Sequence, residues 1–163
     1  MDQSANLPRR ALLRWLAASA ALPAISACTP AEARAWPVQF SDAEWKQRLT
    51  REQYYILRRK GTEVPGTSPL LKEHRKGVFV CAADGQPLYS SATKYDSGTG
   101  WPSFWAPLPG AIATSTDYEV GYPRTEVHCT RCGGHLGHVF SDGPRPTGKR
   151  YCMNGDALLF RAG

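Results

Sequence analysis

The chain has 163 residues, of which 42 % are hydrophobic and 21 % charged. That suits one folded domain with a tail, and it excludes both a second full core and wholesale disorder. The net charge is +6, yet the basic residues beyond position 35 are scattered, with no dense block and no nucleic-acid motif, so no nucleic-acid partner is expected.

Residues 1–35 read as an export signal and tether. Pro8-Arg9-Arg10-Ala11-Leu12-Leu13-Arg14 resembles the twin-arginine export signal of bacteria. The apolar run Trp15–Ala27 follows. At 13 residues it is too short for a comfortable membrane-spanning helix and suits the h-region of a signal. Two processing sites compete. Ile25-Ser26-Ala27-Cys28 is similar to a lipobox, with cleavage before Cys28, lipidation of that residue and a membrane-surface anchor. Ala33-Arg34-Ala35 offers cleavage after Ala35 instead. Either way the expected destination is the bacterial periplasm or cell envelope, where disulfides are permitted.

The folded domain is expected over 36–163. The 15 glycines and 13 prolines favour a turn-rich, strand-rich fold over a helical bundle. Ser41 with Glu44 three residues on marks the start of a first helix, and Arg51–Arg58 suits a second. Pro65-Gly66 closes this section. Gly77–Cys81 and Pro87–Ser90 read as strands joined by a hairpin-like turn at Ala83-Asp84-Gly85. Thr125–Cys129, Leu136–Phe140, Arg150–Asn154 and Ala157–Phe160 read as further strands. The expected fold is a single, mainly antiparallel β domain with short N-terminal helices.

Four cysteines fall in this domain. Cys129-Thr130-Arg131-Cys132 is a C-x-x-C hook, and Cys81-Ala82-Ala83-Asp84 has the same outline with Asp84 in the last ligand place. Two such hooks make a tetrahedral zinc site, here with three thiolates and a carboxylate. A Cys129–Cys132 disulfide or buried free thiols are the alternatives. The set Cys129, Cys132, His135 and His138 fits less well, because zinc fingers separate their ligand pairs by a longer loop.

Cys152 has no partner cysteine nearby. On a strand, Arg150, Cys152 and Asn154 share one face, while Tyr151 and Met153 face the other. A cation beside a thiol favours the reactive thiolate. In Gly133-Gly134-His135-Leu136-Gly137-His138-Val139-Phe140, His138 and Phe140 share a face, and a histidine beside a thiol can hand over protons. In Ser97-Gly98-Thr99-Gly100-Trp101-Pro102-Ser103-Phe104, the glycines and proline suggest a shaped loop, with Trp101 and Phe104 as an apolar wall.

Three segments in this order, Ser97–Phe104, His135–Phe140 and Arg150–Asn154, with Asp142–Gly148 between the last two, carry a resemblance. The chain closely resembles the B-type peptide-methionine (R)-S-oxide reductases from about residue 38 to 163. The resemblance implies two antiparallel β-sheets with short N-terminal helices. It implies reduction of methionine-R-sulfoxide in oxidised proteins, a repair reaction of oxidative stress. It also implies roles: Cys152 as nucleophile, His138 and Asn154 beside it, His135 in support and Trp101 against the substrate methyl group. Phe140 and Arg150 join the expected substrate site. A thioredoxin-like or other thiol reductant is implied, and no organic cofactor.

The residue chemistry agrees with these roles. A Cys152 thiolate attacks the electrophilic sulfoxide sulfur, a proton from His138 assists the oxygen, and methionine leaves Cys152 as a sulfenic acid. Two departures from the family pattern stand out. Thr99 occupies the place of a recycling cysteine, and Asp84 that of a zinc ligand cysteine. Recycling then falls to Cys81, Cys129 or Cys132, or to an external thiol. Two other function classes compete: a zinc-ribbon-like binding module with an inert Cys152, and a disulfide oxidoreductase using Cys129 and Cys132.

Overall fold

Both helices begin where a local hydrogen-bond exchange fixes them. The computed structural model describes residues 36–163, so the expected export signal and tether, with Cys28, fall outside the described residues. Helix α1 (Asp42–Arg48) starts with a capping box: the Ser41 hydroxyl accepts from the Glu44 amide, and the Glu44 carboxylate accepts from the Ser41 amide at 2.8 Å. Thr50 and Gln53 repeat the exchange for α2 (Arg51–Arg59). Trp45 from α1 and Ile56 and Leu57 from α2 turn inward and join the core. Among the described residues, no helix is long and apolar enough to cross a membrane.

Nine strands follow among the described residues: β1 (Gly77–Cys81), β2 (Pro87–Ser90), β3 (Lys94–Tyr95), β4 (Ser103–Phe104), β5 (Ile112–Asp117), β6 (Arg124–Cys129), β7 (His135–Phe140), β8 (Arg150–Met153) and β9 (Leu158–Ala162). They form two antiparallel sheets. One has the order β2-β1-β9 and the other β3-β4-β8-β7-β6-β5. The expected mainly β fold of two antiparallel sheets with short N-terminal helices is therefore the one observed. The expected segment Ala157–Phe160 shifts, because Gly155–Ala157 makes a 3-10 turn before β9.

Alternation along the strands sorts the side chains. Phe104 pairs with Tyr151, and both contribute to the core around Tyr89. The Tyr89 and Phe104 rings stack with centroids 4.3 Å apart, and the Tyr89 hydroxyl donates to Met153 Sδ at 3.1 Å. Phe104 is fully buried there, so the expected apolar wall made by Trp101 and Phe104 is corrected: Phe104 belongs to the core. Its neighbour Ser103 pairs with Cys152 on the opposite face, which is the face that carries the site.

Candidate active site

Strand register lines up one polar row across the larger sheet. Tyr95 pairs with Ser103, Ser103 with Cys152, Cys152 with His138, His138 with Glu126, and Glu126 with Ser115. Directly paired residues on antiparallel strands point to the same face. Two residues along, Phe140 pairs with Arg150 and Asp117 with Arg124, so a second row runs beside the first. Residues 95 to 152 thus converge although they lie far apart in sequence.

The close approach of β7 to β8 depends on Gly137. Its φ is +152°, and a Cβ there would stand 2.1 Å from the Cys152 carbonyl oxygen. Glycine removes that clash and lets His138 stand directly opposite Cys152.

Cys152, His138, Trp101, Phe140, Arg124 and Asn154 surround a cavity of about 110 Å³. That is the volume of roughly four water molecules, enough for the end of one side chain. The Trp101 indole donates to the Glu63 carbonyl at 3.3 Å, which orients the wall. Arg150 does not point at the cavity. It bridges to Asp142 at 2.8 Å and lays its guanidinium 4.4 Å from the centre of the Phe140 ring, so it backs that wall. The Asn154 carbonyl accepts from the Glu63 amide at 3.0 Å, and its amide donates to the Leu136 carbonyl at 3.2 Å. Those bonds leave one N–H and one lone pair of this side chain for a ligand.

His138 Nε2 lies 2.7 Å from Asp117 Oδ2, which Arg124 also holds at 2.5 Å. The Glu119 amide, with His138 and Arg124, keeps Asp117 well below the usual carboxylate range despite burial. Burial lowers the His138 pKa, opposed by the bond to Asp117, and so favours the neutral ring. A neutral ring that donates through Nε2 to a carboxylate carries its lone pair on Nδ1. Cys152, paired in register with His138, and Asp117 bound to His138 can then serve as nucleophile, base and orienting carboxylate.

His135 stands behind this group and does not line the cavity. Its ring is 5.3 Å from that of His138, and its Nδ1 meets Glu126 at 2.6 Å. Lys60 also donates to Glu126, at 2.9 Å. Burial works against that carboxylate, but His135 and Lys60 overcome it and hold Glu126 down at about 2.

The cysteines away from the cavity form a second cluster. One donor atom from each of Cys81, Asp84, Cys129 and Cys132 lies within 4.8 Å of every other. Cys81 Sγ and Cys132 Sγ are 3.7 Å apart, and Cys129 Sγ is 3.5 Å from an Asp84 oxygen. A tetrahedron with zinc–sulfur bonds of about 2.3 Å has edges of about 3.8 Å, so the set is compatible with zinc. His135 and His138 take no part in it. Hydrogen bonds from Cys132 and Cys81 lower the Cys129 pKa, while bonds to Cys129 and Cys132 push Cys81 up. All four cysteines of the described residues are free, and Cys81, Cys129 and Cys132 are buried. Cys129 lies two strands over and three residues along from the row of Cys152, about 14 Å away by sheet geometry. By contrast, Thr99 Oγ1 is only 3.7 Å from Cys152 Sγ.

Reading from sequence missed Ser97, Ser103, Asp117, Arg124 and Glu126. Four of them lie on strands and Ser97 in the loop before β4, and their hydroxyl or charged side chains were the one available signal.

Known proteins share this arrangement of sequence. A family profile for the SelR domain matches residues 49–162. A peptide methionine sulfoxide reductase MsrB of Leptospira interrogans is 55 % identical over 127 residues, covering 77 % of this chain and 97 % of its own. One from Agrobacterium fabrum is 53 % identical over 124 residues, covering 76 % and 92 %. The chloroplastic peptide methionine sulfoxide reductase B1 of Arabidopsis thaliana is 52 % identical over 123 residues, covering 75 % and 61 %. With a domain match over most of its length and relatives at this identity, the chain belongs to the SelR-domain family of peptide methionine sulfoxide reductases.

Proposed function

We propose that this protein reduces methionine-R-sulfoxide in oxidised proteins to methionine, using Cys152 as nucleophile. The observation that carries the reading is the register pair Cys152–His138 in a small cavity walled by Trp101 and Phe140. His138, oriented by Asp117, takes the Cys152 proton through its free nitrogen. The thiolate attacks the sulfoxide sulfur, and the proton passes to the oxygen. One oxygen moves to Cys152, so a thiol and a sulfoxide become a sulfenic acid and a thioether. Trp101 and Phe140 suit the methyl-thioether, since sulfur and aromatic rings attract. A fixed methyl wall and a fixed proton donor distinguish the two sulfur epimers, and the R preference follows the family resemblance.

An external thiol reductant, thioredoxin-like or smaller, then returns Cys152 to the thiol. Cys81, Cys129 and Cys132 are a poorer source, because they are buried and distant. The same burial disfavours a disulfide oxidoreductase acting through Cys129 and Cys132, which would need an exposed thiol. Zinc held by Cys81, Asp84, Cys129 and Cys132 would supply structural cross-linking between β1 and the turn after β6. A twin-arginine signal would deliver the enzyme to the bacterial envelope, free or anchored at Cys28, to repair proteins oxidised there.

The test follows the two epimers of a blocked methionine sulfoxide by chiral chromatography, with dithiothreitol as reductant. Loss of the R epimer alone, abolished in Cys152→Ser, is expected. No turnover by folded, reduced protein overturns the reading.

A further inference from the structure

A chain of hydroxyls beside the nucleophile has no part in the reaction as described. Thr99 Oγ1 lies 3.7 Å from Cys152 Sγ. Ser97 Oγ is 2.8 Å from Thr99 Oγ1 and 2.7 Å from Ser103 Oγ. Ser103 Oγ reaches the Trp101 carbonyl at 3.1 Å. The order is therefore sulfur, Thr99, Ser97, Ser103, carbonyl.

Counting protons gives this chain two states. Each hydroxyl donates once, and a carbonyl only accepts. With Cys152 as a thiol, the four contacts have four protons. Every bond then points one way: the thiol donates to Thr99, Thr99 to Ser97, Ser97 to Ser103 and Ser103 to the Trp101 carbonyl. Without the thiol proton, the sulfur can only accept, and the order reverses. Ser103 now donates to Ser97, Ser97 to Thr99 and Thr99 to the sulfur. The contact given up is Ser103 to the carbonyl, the longest of the three between oxygens. Only hydroxyl rotations are needed. Ser103 is fully buried and pairs with Cys152 in register, so water competes poorly at this end.

We propose that Thr99 is a further catalytic residue, whose hydroxyl donates to the Cys152 thiolate while Ser97 and Ser103 orient it. This deepens the reading above and rests on Cys152 as the nucleophile. Thr99 occupies the place that the family resemblance gives to a recycling cysteine. Here the same position supports the sulfur through a hydrogen bond. Bonds to charged acceptors are stronger than neutral ones, so the reversed chain favours the thiolate over the thiol.

The test is the rate of Cys152 alkylation by iodoacetamide at one fixed neutral pH, on the full chain, with the modified peptide read by mass spectrometry. Thr99→Val removes the donor and should slow alkylation about tenfold. Thr99→Ser keeps the hydroxyl and should stay within about twofold of the parent. Ser97→Ala leaves Thr99 in place but unoriented, and should fall between the two. Its fold does not depend on tolerating valine at position 99. Parental alkylation rates in both Thr99→Val and Ser97→Ala would overturn the proposal. The readout uses no sulfoxide, so failed turnover would count against the reductase reading and not against this one.

Discussion

Replacing Asp117 by Asn tests the proton path most sharply among the supporting residues. The amide keeps the size of the carboxylate and one acceptor oxygen for His138 Nε2, but it loses the charge. In the parent, Asp117 Oδ2 stands 2.7 Å from His138 Nε2, with only 4 % of the carboxylate side chain exposed. A hydrogen bond to a charged group at such a site contributes about 1.5–3 kcal/mol. An imidazolium forming on His138 loses that support in the variant, so single-turnover reduction should slow about 10- to 100-fold. The pH profile carries the sign. Burial already lowers the His138 pKa, and the bond to Asp117 opposes it. Without the carboxylate the value drops further, so the acid limb of the rate should move to lower pH while the plateau falls. The assay is rapid-quench turnover of blocked methionine-R-sulfoxide across pH, with far-ultraviolet circular dichroism as a check on folding. A folded variant with the parental plateau and acid limb would refute the role given to Asp117.

Other expectations follow from single contacts. Thr99→Cys should form an internal disulfide with Cys152 after one turnover, because the side chains already lie 3.7 Å apart; peptide mapping that finds both thiols free would contradict this. Gly137→Ala should destabilise the fold by more than about 2 kcal/mol, since its Cβ would meet the Cys152 carbonyl at 2.1 Å. Denaturant unfolding reads that loss, and an unchanged midpoint would count against the close approach. Asp84→Cys should hold zinc more tightly than the parent in a chelator competition, because a thiolate replaces a carboxylate among soft ligands. Equal retention would remove Asp84 from the ligand set.

The parts of this fold that local chemistry controls were legible in the sequence. Ser41 with Glu44 predicts the start of α1, and the exchange of bonds between them is present. Period-two alternation predicts that Arg150 and Cys152 oppose Tyr151 and Met153, and Tyr151 and Met153 do pack on Tyr89. Strand β5 was not legible. Its Thr114-Ser115-Thr116 segment is exposed and polar because β5 is an edge strand, so it shows no apolar face. Strands β3 and β4 have two residues each and are hidden among glycines and prolines. The partners of His138 and Glu126 were illegible for a different reason. Asp117 meets His138 across 21 residues of sequence, and Glu126 meets Lys60 across 66. Register between strands creates those contacts, and no short motif encodes register. Phe104 shows the limit of motif reading, since one step along β4 separates a site-facing serine from a core phenylalanine.

The central claim is that oxygen leaves the substrate by way of Cys152. One stoichiometric turnover of methionine-R-sulfoxide without reductant, quenched and digested for mass spectrometry, tests it most directly. The account predicts one oxygen gained on the Cys152 peptide for each methionine formed, with Cys81, Cys129 and Cys132 unchanged. Methionine formed while Cys152 stays unmodified, or oxidation at another cysteine in its place, would contradict it.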